Sequence, residues 1–69
     1  MNAKTITKIL REANKLALAG FSFHATVLRN AVDAGTDERG AVERVAIMLD
    51  KGARFTEAKR LRDLLLVSV

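Results

Sequence analysis

The sequence predicts an all-α fold: four short helices arranged as two αα-hairpins in one compact bundle, expected to pair as a dimer. Three observations carry this. Apolar residues recur at helical spacing in four successive segments, about 3–19, 22–33, 37–51 and 56–67. Gly20, Gly35 and Gly52 fall between those segments, where a helix stop is wanted. The 69 residues include no proline and no cysteine. Residues 1–69 are therefore read as a single helical domain with neither a disulfide nor a thiolate metal site.

In the first segment Ile6, Ile9, Leu10, Ala13, Leu16 and Ala17 share a face. Asn2 is placed to cap its start, and Gly20 to close it with a left-handed residue. The second segment opens at Ser22, a cap residue, and turns Phe23, Val27, Leu28, Ala31 and Val32 to one side. Gly35 ends it and Thr36 caps the third, where Asp37 and Glu38 suit the positive end of the helix dipole. Gly40 weakens that start. Ala41, Val42, Val45, Ala46, Met48 and Leu49 are the third apolar set, and Gly52 closes it. Thr56 caps the fourth segment, whose inward stripe is Ala58, Leu61, Leu64 and Leu65. Short turns make consecutive helices antiparallel neighbours.

A shift of 32 residues sets Gly20 on Gly52 and Phe23 on Phe55. It also pairs Ile9 with Ala41, Leu10 with Val42, Ala13 with Val45, Leu16 with Met48 and Ala17 with Leu49, all apolar. On this register Phe23 and Phe55 are equivalent turn anchors, and Phe21, matched by Ala53, is the aromatic left to face a partner. The run Gly52, Phe55, Ala58 resembles the turn of tetratricopeptide-type repeats, which implies an αα-hairpin geometry and no more.

Charge is uneven. Residues 1–30 carry five cations against one acid, residues 31–50 two against five, and residues 51–69 five against two. Lys4, Lys8, Arg11 and Lys15 are spaced four, three and four apart, so they lie within an arc of about 60° on the first helix. A solvated amphipathic face gives the same pattern. As a contact surface it suits backbone phosphates or an acidic protein. Arg54, Lys59, Arg60 and Arg62 extend it if the fourth helix lies alongside. Base-specific reading has little support, because no exposed helix face is rich in Arg, Gln, Asn or Ser.

No catalytic, cofactor-binding or metal-binding set emerges. His24 is the single histidine, and Ser22 sits too close to it in a turn to form an oriented pair. On a helix His24 falls among Val27, Leu28 and Ala31, where a packed or interface histidine is the expected role. The last stretch, "LRDLLLVSV", is apolar on more than one side. The candidate protein-interface residues are Phe21, His24, Leu65, Leu66, Val67 and Val69. The expected function is that of a small non-enzymatic regulator or inhibitor, of the kind phages and mobile elements carry. It would dock on a partner protein through an apolar helical face, using Phe21, Phe23 and the C-terminal leucines, and act by covering a functional surface. A basic nucleic-acid-binding protein using the first-helix stripe is the alternative, and a structural subunit of a larger assembly a third. No small-molecule substrate, no membrane span and a cytoplasmic location are expected.

Overall fold

A computed structural model describes residues 2–67; the side chain of Val67 and all of Val69 lie outside the described residues. Four α-helices account for nearly all of what is described: α1 (Ala3–Leu18), α2 (Ser22–Ala34), α3 (Glu38–Lys51) and α4 (Phe55–Val67). No strand is present among the described residues.

Asn2 caps α1 as its position predicts: its Oδ1 accepts from the Thr5 N–H at 2.8 Å. The other three expected caps are not used. Helix α2 starts at Ser22 itself, with Phe21 in the cap position and no side-chain cap bond. Helix α4 starts at Phe55, which places Thr56 inside its first turn. Backbone bonds in the preceding turns set these starts. The Phe21 N–H donates to the Leu16 carbonyl and the Arg54 N–H to the Leu49 carbonyl, both at 2.8 Å. Before α3 the cap position is held by Asp37, not Thr36, in a left-handed conformation (φ 55°). Its carboxylate makes no cap bond and lies over the first turn, where Arg44 Nη1 meets it at 3.1 Å. A Cβ at Gly40 would fall onto that carboxylate, which explains a glycine in the first turn of a helix.

The register of the internal repeat is 33 residues, not 32. A 33-residue shift carries Ser22–Ala34 onto Phe55–Val67. It also pairs buried with buried: Ile9 with Val42, Ala13 with Ala46, Leu16 with Leu49, Ala25 with Ala58 and Leu28 with Leu61. The left-handed residue of the first turn, Gly20 (φ 93°), matches Ala53 (φ 61°), whereas Gly52 has φ −90°. The two glycines differ by one position in otherwise matching turns, and this is what draws a sequence alignment to the wrong register.

These matched residues form one core. Ile9, Leu16, Leu28, Val42, Val45, Leu49, Leu61 and Leu65 supply its larger side chains, and Ala13, Ala25, Ala46 and Ala58 its close approaches. Helix α1 packs on α2, α3 on α4, α2 on α3 and α1 on α4. This closed ring is the pattern of two similar halves related by an approximate twofold. The Cα radius of gyration, 10.7 Å, is that of a compact chain of this length. In α1 the buried face is Thr5, Ile9, Glu12, Ala13 and Leu16. It is rotated from the apolar stripe of the sequence, so that Leu10 is exposed and Ile6 half-exposed.

Candidate functional site

The ring order sets two seams on opposite sides of the bundle, α2/α3 and α1/α4. At α2/α3 lies an open groove of about 330 Å³ lined by Phe23, Val27, Arg44, Ile47 and Met48. Phe23 is 68% exposed at its edge, and Ile47 is exposed beside it. The 33-residue shift carries these five residues onto Thr56, Arg60, Arg11, Asn14 and Lys15. Apolar positions on one side of the molecule are thus polar or cationic on the other. The fold is nearly symmetric, and its two seams are chemically opposite.

At the α1/α4 seam, Glu12 is almost fully buried and joins two helices. Its carboxylate meets Arg60 Nε at 3.3 Å and Lys15 Nζ at 3.7 Å. This places Arg60 against α1, next to the Lys4, Lys8, Arg11 and Lys15 stripe. Lys4, Arg11 and Lys15 are exposed and Lys8 is half-buried. Glu12 is the only acid on α1.

The other three cations assigned to this surface are engaged elsewhere. Lys59 pairs with Asp63 on its own helix at 3.1 Å. Arg62 reaches Asp50 of α3 at 2.5 Å, a hydrogen bond that raises its pKa above the ordinary guanidinium value. Arg54 pairs with Glu57 at 2.6 Å and lies over the Phe21 ring, 5.0 Å from its centroid. Arg54 and Phe21 hold equivalent places in the two turns, so this contact joins the halves at one end of the bundle.

The phenylalanines exchange the roles expected of them. Phe21 is half-buried and packs on the core. Phe23 and Phe55 are the exposed pair, at 68% and 64%, and anchor nothing. The cause is the turn. The Phe21 N–H bond to Leu16 carries that residue inward and leaves Phe23 two places further round the first turn of α2. His24 stands edge-on to both rings, 5.2 Å from Phe21 and 6.3 Å from Phe23. Its Nδ1 is sealed from solvent without a hydrogen-bond partner, alone in this among the described residues. A side chain so placed contributes packing and edge-to-face ring contacts.

At the C-terminal end Leu65 is buried in the core at 5% exposure, which corrects its assignment to an interface. Leu66, at 73%, is open. It edges a second groove of about 400 Å³ with Arg39, Glu43, Arg62 and Leu65. Three of its five lining residues are charged. Val67 closes α4, and the interface roles expected of Val67 and Val69 fall on atoms outside the described residues. Among the described residues no cluster of three His, Asp or Glu side chains could hold a metal. No described helix is long and apolar enough to cross a membrane.

No family model matches the chain, and no curated protein or solved structure matches it.

Proposed function

We propose that the chain is a small non-enzymatic binding protein, built of two αα-hairpins, whose docking face is the α2/α3 groove and whose occupant there is a second copy of itself. The observation that carries this is an exposed Phe23 ring standing beside an open apolar groove of about 330 Å³. A ring and a cavity side by side on one face are self-complementary. Under a twofold, each Phe23 enters the other copy's groove against Val27, Ile47 and Met48, an isologous contact. The composition of the core adds a reason. Ala13, Ala25, Ala41, Ala46 and Ala58 make up five of the thirteen buried apolar residues described, and each buries little area. Association then supplies apolar burial that the monomer lacks.

Sedimentation equilibrium tests the reading. The wild-type chain is expected at twice its monomer mass at tens of micromolar. Phe23→Asp should return it to monomer with helical circular dichroism and melting behaviour preserved, because this side chain is not in the core. A wild-type monomer at high concentration would overturn self-association and leave the groove to an unrelated protein helix.

A further inference from the structure

We infer that the α1/α4 face binds the sugar-phosphate backbone of duplex DNA without reading its sequence. This rests on the opposite seam and does not depend on what occupies α2/α3. The groove positions that are apolar at α2/α3 are Thr56, Arg60, Asn14 and Lys15 here, with Arg11 matching Arg44. In a molecule whose halves match at five buried apolar pairs, this side carries cations and hydrogen-bond donors where the other is apolar. Among the described residues Lys4, Lys8 and Arg11 have no acidic partner, while Arg54 before α4 and Lys59 and Arg62 on it, all off this face, are ion-paired. Among the described residues Glu12 is the one acid ion-paired with the set. It lies beneath the surface, where it holds Lys15 and Arg60 in place and leaves their remaining donors outward.

Geometry favours a duplex. From Lys4 to Lys15 the stripe runs about 16 Å along a rigid helix at 1.5 Å per residue. At about 3.4 Å of axis per phosphate on each strand, that spans roughly five phosphates of a duplex edge. A single-strand platform needs aromatic rings among its cations for bases to stack on. Helix α1 has none, and Phe21 is turned into the core beneath Arg54. With no rings for bases to stack on, the face offers cations at phosphate spacing, and contacts of that kind position a duplex without carrying sequence information.

Fluorescence anisotropy with a labelled 16-base-pair duplex, titrated with the full chain across a salt series, tests this. Three or four neutralised phosphates predict a log–log salt slope of about −3 to −4, or roughly a 10²-fold loss of affinity between 50 and 200 mM salt. Lys8→Ala with Arg11→Ala should weaken binding at least about tenfold at 50 mM salt and flatten the slope by about 2. Lys51→Ala, a free cation on α3, should leave both unchanged, and a second duplex of scrambled sequence should bind equally. Absence of binding at 50 mM salt overturns the inference. So does an equal loss in Lys51→Ala, which would reduce the effect to net charge. Tighter binding to a single-stranded oligonucleotide, or capture by phosphatidylserine vesicles without duplex binding, would likewise assign the face to another ligand.

Discussion

Ala53 sits in a left-handed conformation (φ 61°) that costs an L-residue roughly 1–2 kcal/mol, while the glycine beside it, Gly52, has φ −90° and no use for its freedom. The equivalent place in the first turn is held by Gly20. Ala53→Gly is therefore expected to stabilise the chain by about 0.5–1 kcal/mol, the relief of strain less the added entropy of the unfolded state. Urea unfolding measures it, and a lower midpoint would mean the turn is not strained. Gly52→Ala should be neutral or better, since a Cβ there meets only ordinary contacts. At this scale the sequence is legible where a residue acts through its neighbours in the chain. Asn2 caps α1 because its partner is three residues away. The roles of Phe21, Phe23 and Phe55 were not legible. A turn bond two residues from Phe23 decides which ring faces the core, and periodicity does not report the phase of a short helix entered from a turn. His24, expected as a packed or interface side chain, stands edge-on to Phe21 and Phe23.

At the scale of elements, helix existence and limits were legible to within a residue or two, because glycines and apolar periods agree on them. The rotation of α1 was not. An apolar count sets Ile6 and Leu10 inward and Glu12 outward, whereas α4 approaches from the Glu12 side with an arginine ready to meet it. The buried carboxylate is met by Arg60 across this seam and by Lys15 on its own helix, and its counterpart position on α3 is the fully buried Val45. Glu12→Gln keeps the shape and removes the charge. It should cost about 1 kcal/mol, the partners being half-exposed and partly screened, and the loss should shrink in high salt. Urea midpoints at low and high salt measure this. An unchanged midpoint would mean that packing alone holds α1 to α4. The same rotation keeps the lysine stripe beside α4, so the seam's stability and its charge have one origin.

For the whole molecule, the class and the number of helices were legible, and the division of labour between the two sides was not. It becomes visible only when the halves are set in a 33-residue register, and the sequence invites 32. Near-equivalence of α2/α3 and α4/α1 has a consequence for chain order. The Arg39 guanidinium donates to the Leu65 carbonyl at 3.2 Å, so the start of α3 lies at the finish of α4. By the approximate twofold, the start of α1 lies at the finish of α2. The link between α2 and α3 bridges that same end of the bundle, and nothing in the contacts requires it to be the link that is made. A circular permutant opened between Gly35 and Asp37, with the ends of α4 and α1 joined by a short Gly/Ser linker, should fold to the same helical content and melt within a few degrees of the parent. Circular dichroism melting checks it, and a permutant that fails to fold would show that the halves are alike in sequence register but not interchangeable in order.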